Sequence, residues 1–324
     1  MGSGYLGRRL IQAFLTIIMI VLLNFILFRM MPGSPERAAL RIPGVSQEVF
    51  ENTRARLGLD KPVFPDQLVA YITSTAQGDL GYSYKYRGQP VAEVIGARVW
   101  PTLILFGLGE IVAIVVGLAL GAYSGWRRGG AIDYVGNGLS LILYSMPYFL
   151  LGMILLVVFA VGLGWFPVSG MFTLGQSYPS FADQLFDFGT HLILPLATVS
   201  LGLIGQYSIL MRSSVIETLG EDYVTTARAK GITETRVMTR HAIPNAMLPT
   251  VSLIAINLGY LIAGAITAEV VFNWPGLGTL TVDALIARDY PVLQGVFLFL
   301  SISVVLANLA ADALYGILDP RVKG

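Results

Sequence analysis

Three carboxylic acids lie within or at the ends of long apolar segments: Glu110, Glu269 and Asp312. An ionised side chain at the centre of a bilayer costs about 3 kcal/mol or more, so each acid should meet a polar partner, a cavity or the lipid headgroups. A proton relay is one possible chemistry, but no second acid or histidine follows at helical spacing on the same segment. For Glu110 the sequence leaves open the polar wall of a membrane pathway or a hydrogen bond to a neighbouring helix. Glu269 should contact the turn at 272–278, and Asp312 should pair with Arg321 or act as a cap.

The chain has two histidines, His191 and His241, and no cysteine. The spans identified below place the histidines on opposite membrane faces, where they cannot share a metal ion. His191 is expected at the membrane interface, and His241 is expected to pack or to contact a partner. Ser169 and His191 could belong to a hydrolase site, but no third residue or oxyanion framework accompanies them. Lys230-Gly231 is not a G-x-x-x-x-G-K-S/T phosphate loop, and no other stretch matches that motif, so the chain should not hydrolyse ATP.

The composition indicates a membrane protein. Of the 324 residues, 55% are hydrophobic and only 13% are charged, against about 25% charged residues in soluble domains. The mean hydropathy is +0.69, and the net charge of +1 gives no indication of a nucleic-acid partner. A helix that crosses a bilayer needs about 20 apolar residues. Six segments meet this length: Leu10–Met31, Pro101–Ala122, Leu139–Val161, Ile193–Met211, Leu248–Phe272 and Pro291–Leu314.

Basic residues fall mostly on one side of these six spans, while the two later loops on the other side offer only Arg288. Cytoplasmic loops carry an excess of Lys and Arg, so both termini and the loop between the fourth and fifth spans should be cytoplasmic. The basic residues on that side are Arg8, Arg9, Arg127, Arg128, Arg212, Arg228, Lys230, Arg236, Arg240, Arg321 and Lys323.

The chain is expected to divide into a first membrane helix (1–31), an extracytoplasmic helical loop (32–98), a five-helix core (99–316) and a cytoplasmic tail (317–324). The core includes a cytoplasmic loop at 212–247. The first apolar run is longer than a signal-peptide core and lacks a cleavage site, so it should be retained. In the outer loop, one helix should begin after Ser46 and end at Gly58, and a second should end at Gly78. These helices could cover the outer mouth, provide a docking surface, or do both.

Several residues within the spans should shape the helices. Pro147 should break the third span locally, and Trp165, Phe166 and Tyr178 should hold an interfacial segment after it. After the fifth span, a turn should lead into a short helix that dips back into the mouth. The small pairs Gly117 with Gly121 and Gly259 with Ala263 should allow close packing, either within the chain or between subunits. The pathway candidates are Glu110 together with Asn257, Gly264 and Thr267 of the fifth span.

The stretch from Glu221 to Pro249 is polar and lies between two apolar segments. Acidic residues at 221 and 222 suit the positive end of a helix dipole, and Gly231 can end the helix with a positive φ. A second helical pattern begins at Thr233, and we expect Pro244 and Pro249 to interrupt it. The pattern predicts a rigid helix–glycine–helix corner that a partner can bind.

This corner resembles the cytoplasmic "EAA" loop of ABC-importer permeases, which reads Glu-Ala-Ala, three residues, Gly, nine residues, Ile-x-Leu-Pro. The spacing fits, although Thr225, Thr226, His241 and Ile243 depart from the letters of the pattern. Ala227, Gly231 and Pro244 stand in their expected places. The stretches LGLDKP, GDLGYS, QPVAEVI, FNWPGLG, DYPVLQG and YGILDPRVK resemble the dipeptide/oligopeptide branch of that family.

The resemblance implies an all-α membrane protein with six transmembrane helices and the type I ABC-importer permease fold. It implies half of a pathway for di- or oligopeptides in the cytoplasmic membrane of a prokaryote. The chain itself would be non-catalytic and would carry no cofactor or metal. The implied partners are a second homologous permease, two ATP-binding subunits that hold ATP and Mg²⁺, an extracytoplasmic binding protein and membrane lipid. The residues implied in ATPase coupling are Glu221, Asp222, Tyr223, Thr225, Thr226, Ala227, Arg228, Gly231, His241 and Pro244.

Other functions remain open. The same importer type could carry nickel, haem or oligosaccharides. A self-sufficient secondary transporter or channel would also explain the spans and the intramembrane acids, but it would leave the corner without a purpose. A membrane hydrolase would need activity from this chain alone.

Overall fold

The computed structural model describes residues 3–30, 51, 55, 61–86, 88–260 and 266–318. Several predictions concern residues outside this description: Ala263, Gly264 and Arg321. Most of the helix expected between Ser46 and Gly58 is also outside it, as is the side chain of Asp312. The described part is helical, and its only strand-like pairing is an isolated bridge between Tyr82 and Pro90. The helices are α1 Ser3–Met30, α2 Leu68–Ala76, α3 Val91–Trp126, α4 Ala131–Ser145, α5 Tyr148–Leu155, α6 Phe181–Leu219, α7 Asp222–Ala229, α8 Glu234–Val237, α9 Ile243–Tyr260, α10 Ile266–Val271, α11 Leu277–Ala287 and α12 Tyr290–Leu318.

Among the described residues, four helices are long and apolar enough to cross a membrane, within α1, α3, α6 and α12. The number is five if α4 and α5, with the π-helical turn Leu156–Gly162 that follows, form one broken span. The two halves of that span are bent by 106° at Pro147, the residue expected to break it, because proline cannot donate to the helical ladder. The expected fifth span corresponds to α9 and α10, with residues 261–265 outside the description. A multi-span helical protein is therefore confirmed, while the number six stays a prediction.

The contacts divide the chain into two compact units. The terminal unit comprises residues 1–103, 262–270 and 275–324. Its apolar core joins the start of α3 to α11 and α12 through a cluster of buried residues. The cluster contains Val91, Val94, Ile95, Leu277, Leu280, Ala284, Val292, Leu293 and Val296.

Polar contacts fix the segment before α3 within the terminal unit. The buried carboxylate of Asp289 accepts hydrogen bonds from the Ser83 hydroxyl at 2.5 Å and from the Lys85 backbone N–H at 2.9 Å. On α1, the buried side chain of Asn24 accepts from the Tyr71 hydroxyl at 3.0 Å and donates to the Gln294 carbonyl at 3.3 Å. These contacts tie segments that are distant in sequence to α12.

The central unit comprises residues 104–261 and 271–274. In this unit α3 lies against α6 along four glycines, at 109, 117, 121 and 125. A Cβ on Gly117 would lie 2.7 Å from Tyr207 Cβ, and one on Gly125 would lie 2.9 Å from the Arg212 carbonyl oxygen. The small residues at 117 and 121 therefore pack two helices of the same chain together, as the intrachain alternative predicted.

We expect Gly121→Ala to destabilise the protein, because a methyl group there would lie 2.9 Å from Met211 Cβ and closer still to the Ser208 carbonyl oxygen. Overpacking of this kind costs about 1–3 kcal/mol. Gly107→Ala is the matched control, because Gly107 is on the same helix and a Cβ there meets nothing within 4 Å. Thermal unfolding in detergent measures the effect. Equal midpoints for the two variants would contradict the packing argument.

Candidate functional site: the helix–glycine–helix corner

The corner, defined here as residues 221–237, begins with the short helix α7. Glu221 has extended backbone at its N-cap, and Asp222 stands in the first turn, where a negative charge complements the helix dipole. Val224 and Ala227 are buried, whereas Asp222, Tyr223, Thr225, Thr226 and Arg228 are exposed. The buried part of the Tyr223 side chain raises the pKa of its hydroxyl, and the neighbouring Glu221 carboxylate raises this pKa further. Helix α7 therefore presents one apolar face inward and a polar face outward.

Gly231 ends α7 as the sequence predicted, with φ of +75°. The Gly231 N–H donates to the Arg228 carbonyl at 2.9 Å, and the Ile232 N–H donates to the Ala227 carbonyl at 3.3 Å. These two bonds form a Schellman motif, which favours glycine because other residues are strained at positive φ. Ile232 completes the motif by packing against the buried cluster of Val224, Ala227 and Val237.

Helix α8 begins after Thr233, which has extended backbone at the N-cap. Across the corner, the Arg228 guanidinium donates to both carboxylate oxygens of Glu234, at 2.9 and 3.2 Å. Both side chains are substantially exposed, so this pair contributes at most about 1 kcal/mol. The backbone motif and the apolar cluster therefore hold the angle of the corner more than the ion pair does.

The expectation that Pro244 and Pro249 interrupt the second helix is wrong. The chain stays helical from Glu234 to Tyr260, through the π-helical turn Met238–Ala242. Pro244 lies in the first turn of α9, directly after the wider π turn. Backbone bonds in a π turn are offset by one residue from the α-helical pattern, so the missing N–H of Pro244 falls where that pattern is already interrupted. The Asn245 side chain donates to the His241 carbonyl at 2.7 Å. Pro249 is inside α9 and costs one backbone bond, which membrane helices tolerate. His241 is half-buried and Pro244 is exposed.

The pathway candidates separate into two groups. Glu110 and Asn257 converge in the central unit, because both side chains contact Tyr207. The Tyr207 hydroxyl donates to the Glu110 carboxylate and accepts from the Asn257 amide at 3.0 Å. Thr267 is an exposed residue in the terminal unit, and Gly264 lies outside the described residues. Sequence reasoning missed Tyr207, whose phenol among apolar neighbours in the fourth span was the available signal.

Glu269 contacts the turn that the sequence indicated. Its carboxylate accepts from the Thr102 hydroxyl at 2.6 Å and from the backbone N–H groups of Gly278 and Thr279 at 2.7 and 3.2 Å. Thr102 in turn accepts from the Leu277 N–H at 2.8 Å. Glu269 is 1% exposed. The carboxylate therefore supplies acceptors to the first turn of α11, whose N–H groups have no helical partner.

Sequence reasoning also missed two carboxylates that act as anchors in the central unit. Asp133 pairs with the Arg212 guanidinium at 2.5 and 2.9 Å and accepts from the Gly129 N–H at 2.9 Å. Asp187 accepts from Thr173 and from the Tyr178 hydroxyl, the latter at 2.6 Å. The bond to Asp187 raises the pKa of the Tyr178 hydroxyl. Tyr178 thus holds the segment before α6 through a carboxylate, while its place at the membrane interface stays a prediction.

His191 is buried, at 6% exposure, and its Nδ1 lies 2.9 Å from the Asp187 carbonyl oxygen. Ser169 is exposed, and no hydrogen bond in the described part of the chain joins it to His191. The described part of the chain also contains no group of three histidine, aspartate or glutamate side chains that could hold a metal ion. The geometry therefore gives no support to the hydrolase alternative.

We expect Glu269→Gln to loosen the first turn of α11, because an amide has a single acceptor oxygen, which cannot serve the Thr102 hydroxyl and both backbone N–H groups as the two carboxylate oxygens do. A buried donor left without a partner costs about 1–3 kcal/mol. Hydrogen–deuterium exchange should therefore speed up at the amides of Gly278 and Thr279. Glu93→Gln, at an exposed position of α3, is the control. Unchanged exchange in Glu269→Gln would argue against the capping role.

Two family models match the chain. Residues 113–324 match the family described as "Binding-protein-dependent transport system inner membrane component". Residues 3–105 match the N-terminal model described as "Binding-prot-dependent transport system membrane comp, N-term". Together the two models cover nearly the whole chain.

Relatives align end to end. The dipeptide transport system permease protein DppB of Escherichia coli is 41% identical over 338 residues, with 98% of each chain covered. A putative peptide permease protein of Brucella suis is 39% identical over 321 residues, again with 98% of each chain covered. A solved structure of the MetNI methionine ABC transporter in an inward-facing conformation gives a TM-score of 0.57 at 18% identity. It covers 72% of this chain and 99% of that chain, a likeness of fold. The chain belongs to the family of binding-protein-dependent transport system inner membrane components.

Proposed function

We propose that the chain is the permease subunit of an ATP-driven importer, in which it forms half of the translocation pathway. The observation that carries this proposal is the corner: a short amphipathic helix held at a fixed angle to α8 and α9 by a glycine motif and an apolar cluster. A free-standing transporter has no evident use for such a surface. An importer whose ATPases are separate polypeptides needs one.

The corner is the proposed docking surface for those ATPases. The exposed polar face of α7, with Tyr223, Thr225, Thr226 and Arg228, would contact an ATP-binding subunit. Ala227 and Gly231 would set the shape of α7 from inside, and His241 and Pro244 would lie at the edge of the contact. Two such subunits, holding ATP and Mg²⁺, would drive alternating access, with α7 moving together with the ATPase. Coupling of this kind requires contacts at the corner that differ between the two states.

The remaining assembly follows from the proposal. A second homologous permease would supply the other half of the pathway, and an extracytoplasmic binding protein would deliver the substrate over the outer loops. Both termini and the corner would face the cytoplasm of a prokaryotic cell, and six helices would cross its cytoplasmic membrane. The basic residues at the corner, Arg228, Lys230 and Arg236, and Arg240 just after it favour this orientation.

Peptides are the proposed substrate class. The support is that the named relatives, at 39–41% identity over nearly their whole length, carry the words peptide or dipeptide in their descriptions. Nickel, haem or oligosaccharides are the alternative cargoes, and the ligand of the binding protein would separate them. Glu110, Asn257, Gly264 and Thr267 are the candidate pathway residues.

The assembly can be tested by native mass spectrometry of the tagged chain, expressed with its genomic neighbours and purified in mild detergent. We expect one copy of this chain with one other permease and two ATP-binding subunits. A stable monomer or homo-oligomer without ATPases would instead favour a secondary transporter.

The coupling role can be tested with Gly231→Val. We expect ATP hydrolysis to persist while transport falls at least tenfold, because a β-branched residue is strained at φ of +75° and should change the angle of the corner. A Cβ at this position meets no atom within 4 Å, so the variant perturbs the backbone and not the packing. The two rates would be measured in proteoliposomes loaded with the binding protein.

Gly129→Val is the matched control, because Gly129 has φ of +80° and equally open surroundings, away from the corner. Gly231→Asn should restore much of the coupling, since asparagine tolerates positive φ better than valine does. Normal transport by Gly231→Val would contradict the coupling role.

A further inference from the structure

The corner is continuous with a long helical rod. From Glu234 the chain stays helical through α8, the π turn and α9 to Tyr260. At a rise of about 1.5 Å per residue, Asn257 lies about 35 Å along this rod from Glu234. The near end is fixed to α7 by the cluster that contains Val237. Any displacement of α7 that keeps the corner intact therefore moves the whole rod.

The far end of the rod is held by a polar cluster, which we call the Tyr207 cluster: Glu110, Gln206, Tyr207 and Asn257. The Asn257 amide donates to the Tyr207 hydroxyl at 3.0 Å and to the Gln206 side-chain oxygen at 3.4 Å. The Tyr207 hydroxyl donates to the Glu110 carboxylate. Three helices, α3, α6 and α9, are thus joined through one hydroxyl group.

Burial argues that this cluster is not a substrate-contacting surface in the described conformation. Tyr207 is fully buried and Glu110 is 4% exposed. Tyr207 is pressed against Gly117, where a Cβ would lie 2.7 Å from its own. The apolar neighbours of Tyr207 include Ala113 and Ile204, with Leu253 and Ile254 of α9. The side chain is therefore enclosed, and its hydroxyl is held by its hydrogen bonds to Glu110 and Asn257.

Directional bonds at this position add to what apolar packing provides. The hydrophobic effect is non-directional, so apolar contacts define the relative rotation of two helices less sharply than a hydrogen bond does. A hydrogen bond buried in a low-dielectric interior has one favourable geometry, and breaking it there leaves unpaired polar groups. The cluster thus fixes the rotation and the height of α9 relative to α3 and α6.

We propose that Glu110, Tyr207 and Asn257 are positioning residues for transport, which make α3, α6 and α9 move with the corner as one body. This proposal rests on the proposed function, because it needs an ATPase that displaces α7. Without the cluster, the corner still docks and ATP is still hydrolysed, but α9 turns or slides against α3. The displacement then reaches α9 but is not passed on to α3 and α6.

The test measures a distance across the cluster. The chain has no cysteine, so Leu258→Cys on α9 and Tyr123→Cys on α3 give two unique spin-label sites in this subunit; both residues are exposed. The labels are placed in the full complex in nanodiscs, with cysteine-free partners. Pulsed electron resonance records their distance without nucleotide and after trapping with MgATP and vanadate. We expect one narrow distance, unchanged between the two states.

Asn257→Leu and Tyr207→Phe should broaden this distance distribution at least twofold in the trapped state, while ATP hydrolysis by the Tyr207→Phe complex stays within about threefold of the parent complex. Tyr207→Phe loses a single oxygen atom, so it remains informative if Asn257→Leu assembles poorly. Glu110→Gln should behave like the parent, because its side-chain oxygen still accepts from Tyr207. Asn245→Leu is the matched control on α9, since the hydrogen bond that the Asn245 amide makes in the described part of the chain stays within the same continuous helix.

A narrow, nucleotide-independent distance in both Asn257→Leu and Tyr207→Phe would overturn the proposal. Equal broadening in Asn245→Leu would do the same, because it would reflect general damage to α9. If Gly231→Val uncouples hydrolysis from transport while the cluster variants behave like the parent, the proposed function stands and this inference fails. If no ATPase copurifies with the chain, the proposed function fails first.

Discussion

The close approach of α3 and α6 is the constraint on which the rest of the central unit depends. Four glycines allow the two backbones to touch, and membrane helices gain much of their association energy from such packing. Gly117 sets the depth of Tyr207, and Gly125 sets the position of the Arg212 backbone. Helix α6 ends at Leu219, directly before α7. The line of glycines therefore determines where the corner stands as well as where the buried polar groups meet.

Four carboxylates, three of them buried, show four ways to satisfy an acid in a membrane protein. Glu110 accepts a hydrogen bond from a phenol, and Glu269 accepts from the N–H groups at the start of a helix. Asp133 accepts from a guanidinium, and Asp187 accepts from hydroxyl and N–H groups of a neighbouring loop. In each case the carboxylate joins segments that are distant in sequence or separated by a turn. Acids in these places mark junctions between elements.

The sequence was enough to predict the helical membrane class, the break at Pro147, the end of α7 at Gly231 and the contact between Glu269 and the following turn. The last three follow from local chemistry. Pro147 lacks a backbone N–H, Gly231 adopts a positive φ, and Glu269 is close in sequence to the unpaired N–H groups at the start of the next helix. Tyr207 and Arg212 could not be assigned as partners, because their acids are 97 and 79 residues away in the chain. The continuity of α8 and α9 through two prolines was also missed, since the π turn that absorbs Pro244 leaves no mark in composition.

Helix α6 has 39 residues, which gives a length of about 58 Å, nearly twice the bilayer core. One continuous helix, with Pro195 inside it, therefore joins the loop anchor at Asp187 to the start of the corner. By simple trigonometry, a tilt of about 5° displaces one end by about 5 Å relative to the other, with no internal rearrangement. The length of the helix therefore magnifies small tilts. An angular change too small to disturb packing at its middle becomes a displacement of atomic size at its two ends.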